Sequence, residues 1–187
     1  ITYISDKGAC VTKAKDNFEK AIQDAEWILE AYDHLNKIEG REREPEELKR
    51  AALIMTLTAW ETYVEDVIEE KLTADLRTLA GSNVGKFITS TLEKELWYFN
   101  TPNSKNTKGI FERFLYIDVT EKWTWIDGDI EQVKSKLNQW IKKRGEAVHR
   151  SINDKQATHL VSRPDMKKCL TFFKKLVETT DLAIESA

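Results

Sequence analysis

The chain has 187 residues, of which 41% are hydrophobic and 33% are charged, with 7 Gly and 3 Pro. This length suits one domain with a substantial core, and the low Gly and Pro content excludes collagen-like, low-complexity and disordered classes. The formal charge of −3 excludes nucleic-acid binding driven by bulk positive charge, so a contact with RNA or DNA requires a local basic patch.

Cysteine and histidine are too sparse for a disulfide scaffold or a dedicated metal cage. Cys10 and Cys169 are the two cysteines, and three His are spread along the chain, so we expect neither a metal nor another cofactor. The apolar runs are short, and Ile1–Val11 carries Asp6 and Lys7 where a signal peptide has an apolar stretch. We therefore expect a cytoplasmic protein without a membrane segment.

Two long helices are predicted at the start of the chain. Thr12 can cap the first, which continues with apolar residues three and four apart and is expected to end near Gly40. Pro45, followed by two acidic residues, opens the second, and Gly81 is its natural end. The short loop between them predicts an antiparallel pair.

The middle of the chain predicts shorter elements. Ser82 and Asn83 can cap a third helix, and the polar stretch Asn100–Thr107 with its proline is predicted as a loop. A short helix is predicted over Lys108–Ile117, and Glu121–Asp129 as an irregular segment anchored by tryptophans.

Two helices complete the predicted fold. Asp127 or Asp129 starts the first of them, which ends at Lys142–Arg144 or carries these residues in its last turns before Gly145. Ser151–Val161 is predicted as a polar loop. Ser162 then begins the last helix with a capping-box pattern. The sequence thus predicts one all-α bundle with long antiparallel helices, a single domain over residues 1–187 with its core at about 12–186.

Arg144 and His149 are the candidate catalytic residues. His exchanges a proton near neutral pH, and Arg remains charged and can contact two phosphate oxygens at once. Together they can cleave RNA without a metal, His by proton transfer and Arg by neutralising the pentacoordinate phosphate. Residues five apart lie about 140° apart around a helix, and a kink or helix end at Gly145 would let them converge more easily.

Basic neighbours favour a phosphate-binding strip around this pair. Lys142, Lys143 and Arg150 give residues 142–150 a net charge of +3, and they are the candidate RNA-binding residues. The alternative is structural, because basic residues at the carboxyl end of a helix are what its dipole favours. His34 and His159 have no such context and are predicted to be surface residues.

The R-x4-H spacing in an all-α bundle resembles the HEPN superfamily (higher eukaryotes and prokaryotes nucleotide-binding). The chain is most similar to the RiboL-PSP/MAE-type HEPN domains of prokaryotic conflict systems. The matching pieces are Leu57–Glu65 with an aromatic residue beside Glu, Phe99–Asn103 with its Asn and Pro, Ile117–Trp125, and Lys143–His149. In this order they cover roughly Leu48–Val177.

The resemblance implies a helical bundle that dimerises, so that two R-x4-H motifs form one cleft. It also implies metal-independent endoribonuclease activity, often as a toxin or antiphage effector, with RNA as substrate and an antitoxin or another defence protein as partner. Arg144 and His149 match the motif positions. Glu61 matches an acidic position of the second helix and is predicted to hold or tune Arg144; the alternative is an exposed acid on a negatively charged helix.

Two departures from the family pattern concern activity. Gly145 follows Arg144 where the family has a polar residue, and Arg150 follows His149 where it often has Gly. A ribonuclease, a non-catalytic HEPN module that binds RNA, nucleotide or a partner protein, and a purely structural bundle all remain open. Of Trp97, Trp123 and Trp125, most are expected in the core.

Overall fold

A computed structural model of the protein describes residues 12–39, 44–125, 128–153 and 161–187, with the backbone alone at 149–153. These residues form six α-helices and two short 3₁₀ turns, and no strand is found among them. The prediction of an all-α fold is confirmed. The helices are α1 (Lys13–Leu35), α2 (Glu46–Asp75), α3 (Asn83–Trp97), α4 (Ser104–Leu115), α5 (Ile130–Asn153) and α6 (Arg163–Glu185), and the turns are Leu76–Leu79 and Val119–Lys122.

Local hydrogen bonds fix the predicted helix starts. The hydroxyl of Thr12 accepts from the Lys15 N–H at 3.2 Å, and Ser82 and Ser162 cap α3 and α6 in the same way. Each cap satisfies a backbone N–H that has no partner inside its helix. Gly81, with φ of 82°, makes the turn between α2 and α3, a left-handed conformation that glycine adopts without steric cost.

Contacts near the ends of α1, α2 and α6 show in which direction each of these three helices runs. At one end of α1 the backbone N–H of Lys13 donates to Glu70 of α2 at 3.2 Å, and at the other end Lys49 of α2 lies over the Tyr32 ring. Along α6, Arg163 pairs with Asp33 and Lys174 with Glu26, both on α1. The predicted antiparallel pair α1–α2 is therefore confirmed, and α6 runs parallel to α2.

The first correction to the predicted elements concerns α4, which begins at Ser104 rather than Lys108 and ends at Leu115. Asn103 caps it by accepting from the Asn106 N–H at 2.9 Å. The Ser104 N–H donates to the Asn138 side chain on α5 at 3.0 Å, and Thr107 is fully buried. Tertiary contacts thus make a helical turn from residues whose polarity predicted a loop.

The second correction concerns α5. Asp129 starts it by accepting from the Gln132 N–H at 2.9 Å, and the helix continues through Gly145 to Asn153. A glycine ends a helix when its backbone turns to positive φ, and Gly145 does not. The predicted end before Gly145 and the predicted loop at residues 151–153 are wrong; residues 154–160 lie outside the described ranges.

Aromatic rings fill the centre of the bundle. Trp60 on α2 is fully buried against Tyr63, Trp123 and Phe173, with ring centroids 5.8–6.2 Å apart. Trp125 packs edge-on against Phe172. Trp123 and Trp125 therefore lie in or against the core as expected, but Trp97 does not: it is exposed.

Candidate functional site

Arg144 lies on α5 and is held by two other parts of the chain. Its Nη1 donates to Glu61 Oε2 on α2 at 2.5 Å, and its Nη2 donates to the backbone carbonyl of Asn100 at 2.8 Å. The side chains of Arg144 and Glu61 are 18% and 20% exposed. These contacts engage two of the five guanidinium N–H groups, and they fix the orientation of a cation at the edge of the solvent.

Glu61 is therefore an ion-paired and partly buried acid on α2. Its neighbour Trp60 also contacts the segment that holds Arg144, because its Nε1 donates to the Pro102 carbonyl at 2.9 Å. Consecutive residues of α2 thus bind the guanidinium and the backbone that supports it. We call residues 99–103 the Asn100 turn. The sequence analysis selected this segment for its Asn and Pro, but it did not predict that the Asn100 carbonyl contacts Arg144.

The other basic residues that were predicted to bind RNA have different surroundings. Lys142 is exposed and lies 4.0 Å from Glu146 one turn along α5. Lys143 places its Nζ 4.7 Å from the centroid of the buried Trp140 ring, a cation–π contact that holds its stem against the core. The side chain of Arg150 lies outside the described residues.

His149 lies on the same helix as Arg144, and its side chain is outside the described residues. Because α5 is continuous here, the two positions are separated by about 140° around the helix and by about 7.5 Å along it. The two positions therefore lie on different sides of α5 within one chain.

Glu65 is a further acid beside this site that was not selected from sequence, although it stands four residues after Glu61 and shares its face of α2. It is half-buried. Burial raises the pKa of its carboxyl to about 7, and the negative charges of Glu61 and Asp66 add to the effect. Among the described residues, Glu61 has a basic partner and Glu65, one turn further along α2, has none. A proton-binding group therefore lies next to the Arg144–Glu61 pair.

We expect Glu65→Gln to stabilise the protein at high pH and to leave it unchanged at low pH. The folded pKa of about 7 exceeds the ordinary value near 4.5, so ionisation costs stability as pH rises between the two. After discounting for solvent screening, the cost is about 1 kcal/mol at pH 8. Urea unfolding at pH 4.5 and pH 8 measures it, with the exposed Glu69→Gln as control. Equal gains at both pH values would contradict the assignment.

Cys169 and His34 are the remaining cysteine and histidine whose side chains the structure describes. Cys169 is buried, and burial raises the pKa of its thiol, so it is not poised for reaction. His34 is exposed as predicted, whereas Cys10 and His159 lie outside the described residues. Over the described ranges, no cluster of His, Cys, Asp and Glu is arranged to hold a metal ion, and no helix is long and apolar enough to cross a membrane.

Comparison with known families identifies the fold. A family model described as RiboL-PSP-HEPN matches residues 19–186, a span that includes Glu61, the Asn100 turn, Arg144 and His149. Searches against curated proteins and against solved structures gave no match. The predicted family is confirmed, since the matched span covers nearly the whole bundle: the chain belongs to the RiboL-PSP-HEPN family of the HEPN superfamily.

Proposed function

We propose that the protein is a metal-independent endoribonuclease of the HEPN type, acting in the cytoplasm of a prokaryote as a toxin or antiphage effector. The observation that carries the proposal is the fixed guanidinium of Arg144, bound by Glu61 and the Asn100 carbonyl on the helix that also carries His149. A preorganised cation stabilises charge in a transition state without reorganising during the reaction.

The chemistry assigned to these residues is transesterification. His149 accepts the proton of a ribose 2′-hydroxyl, and the 2′-oxygen forms a bond to the adjacent phosphorus. The bond from phosphorus to the 5′-oxygen breaks, and that oxygen takes a proton from a second acid. Arg144 neutralises the charge that develops on the non-bridging oxygens. The products are a 2′,3′-cyclic phosphate and a 5′-hydroxyl.

A second copy of the chain supplies the second proton donor in this proposal. Positions 144 and 149 lie about 140° apart around a continuous helix, and one chain supplies a single motif histidine. Two-fold symmetry would bring two motifs to one cleft, with Lys142, Lys143 and Arg150 holding the RNA backbone around it. An antitoxin or another defence protein is the proposed regulatory partner.

Binding without cleavage is the second candidate function. Glu61 neutralises part of the Arg144 charge before any substrate arrives, and Gly145 provides no polar side chain beside it. A non-catalytic module would use the same strip to hold RNA, nucleotide or a partner protein. The two candidates differ in whether a phosphodiester bond is broken.

The test is incubation of the purified protein with end-labelled structured RNA in EDTA, followed by analysis of the product ends. We expect cleavage that leaves 2′,3′-cyclic or 3′-phosphate ends, by a species whose mass in light scattering is that of a dimer. The Arg144→Ala/His149→Ala double variant, purified identically, detects contaminating nuclease. Tight RNA binding without cleavage would favour the second candidate, and a monomer at high concentration would contradict the shared cleft.

A further inference from the structure

Two aromatic side chains at the carboxyl end of α3 lie open to solvent. Trp97 is 83% exposed and Tyr98 is 69% exposed, whereas Phe99 beside them is buried in the core. Rings of this kind usually bury about 150–250 Å² each in folded proteins. Two neighbouring rings left in water are therefore typical of a surface that binds something.

The backbone that carries these rings is fixed. Tyr98 is the C-cap of α3, and its N–H donates to the Glu95 carbonyl at 3.2 Å. Phe99 anchors the chain in the core, and the carbonyls of Asn100 and Pro102 accept from Arg144 and Trp60. The two rings thus project from an ordered part of the chain, and ordering them costs little when a ligand binds.

The two aromatic residues are also close along the chain to the carbonyl that holds the guanidinium. Asn100, whose carbonyl accepts from Arg144 Nη2, follows Tyr98 by two residues and Trp97 by three. A chain spans at most about 3.5 Å per residue, so the α-carbons of both aromatic residues lie within about 11 Å of that of Asn100. The bases that neighbour a phosphate bound at Arg144 are therefore within reach of residues 97 and 98.

We propose that Trp97 and Tyr98 form a stacking platform for unpaired bases of an RNA strand whose phosphate is bound at Arg144. The proposal rests on the proposed function in taking RNA as the ligand, but it does not require cleavage. Stacking is open to every base because every base has a π-face. It selects single-stranded RNA, since the bases of a duplex are not free to leave their stack.

The surroundings of the platform favour RNA over a second protein surface. The exposed lysines Lys94 and Lys105 lie on the adjoining turns of α3 and α4, beside one exposed acid, Glu93. The lysines can contact phosphates, and Glu95 is paired with Arg113 at 2.6 Å. The next exposed ring on α3, Phe87, is ten residues or about 15 Å away, and exposed polar side chains such as Ser90 lie between. Along α3 the apolar surface is therefore interrupted, whereas a protein interface of standard size requires a larger continuous core.

The experiment measures RNA affinity in the His149→Ala background, so that the probe stays intact. The probes are a short labelled oligouridine, the same oligomer with abasic sites, and an RNA duplex. Trp97→Ala and Tyr98→Ala are each compared with Trp97→Phe and Tyr98→Phe, which keep a ring. Trp27→Ala is the matched control, since Trp27 is also exposed but lies on α1.

We expect each alanine variant to weaken binding of the oligouridine between about fivefold and a hundredfold, and the phenylalanine variants to restore most of it. Binding of the abasic oligomer and the duplex is expected to change less than twofold. Equal losses on oligouridine and abasic oligomer, or no loss at all, would overturn the platform. Loss of self-association in light scattering with unchanged RNA affinity would assign the rings to a protein interface instead.

The two proposals fail separately in this design. A wild-type protein that binds oligouridine through the rings but never cuts RNA would leave the platform standing and remove the ribonuclease. A wild-type protein that cuts RNA while Trp97→Ala and Tyr98→Ala bind and cleave normally would do the opposite. In an active enzyme, we expect the alanine variants to raise KM with kcat largely retained.

Discussion

Arg144→Ala is expected to lower the rate of RNA cleavage by about 10²–10³-fold while the protein remains folded. The reason is that loss of one preorganised group facing the developing charge typically has a cost of this size. The loss should appear in kcat, since the interaction strengthens in the transition state. Initial rates on the end-labelled RNA, with circular dichroism to verify folding, provide the measurement.

Further variants distinguish the roles around Arg144. Arg144→Lys keeps a charge but not the planar donor set, so we expect it to recover little activity. Glu61→Gln keeps an acceptor for the guanidinium and should cost only about tenfold. His149→Ala is expected to remove cleavage to the same extent as Arg144→Ala.

The matched control for Arg144→Ala is Lys174→Ala, which also breaks an ion pair between helices, at 2.7 Å to Glu26. This pair joins α1 and α6 and makes no contact with Arg144 or Glu61 among the described residues, so the cleavage rate of the variant should stay within twofold of the wild type. Cleavage by Arg144→Ala at more than a tenth of the wild-type rate would contradict a role in the transition state. An equal loss in the control would point to a general effect on folding.

Trp60→Ala is expected to lower the free energy of unfolding by about 3–5 kcal/mol, the range for removing a large buried aromatic side chain. Trp60 is fully buried among three other rings, so truncation leaves a cavity that rigid neighbours cannot fill. The loss is a large part of the total stability of a domain, typically about 5–15 kcal/mol. Urea unfolding followed by circular dichroism at low temperature measures it.

Trp60→Phe separates packing from hydrogen bonding at the same position. It retains a ring but removes the Nε1–H that donates to the Pro102 carbonyl, and we expect a loss of about 1–3 kcal/mol. Because Pro102 belongs to the Asn100 turn, both variants should also weaken cleavage. Trp27→Ala, at an exposed site on α1, should change stability by less than about 0.5 kcal/mol. A Trp60→Ala variant as stable as this control would place the core elsewhere.

Helix starts at Thr12, Ser82 and Ser162 were predictable because each depends on a hydrogen bond between residues three apart. The amino end of α4 was missed although Asn103 caps it with a hydrogen bond of the same kind, because the polar residues after Pro102 predicted a loop. Burial and Asn138 on α5 also hold Ser104 and Thr107 in the helix. The prediction that α5 ends before Gly145 was wrong for a related reason. The effect of this glycine depends on whether the backbone turns there, and the continuous packing of α5 keeps it helical.

The candidate site also has features that the sequence predicts and features that it does not. The spacing of Arg144 and His149 and the chemistry of Glu61 could be read from the sequence, since residue type and separation are local properties. The contact between Arg144 and Glu61 joins residues 83 positions apart, and the carbonyl of Asn100 has no sequence signature because every residue has one. Glu65 owes its raised pKa to burial, which a sequence does not report.

By itself the sequence determined the helical class, the family and the residue types of the R-x4-H motif, because periodicity, capping and spacing depend on residues that are close along the chain. Only the tertiary structure decided that Trp123 lies in the core while Trp97 is exposed to solvent. It also decided that Arg144 has a carboxylate and a carbonyl as partners. The physical reason is the same in each case: burial and pairing depend on which helices meet, and that is fixed by packing across the whole bundle.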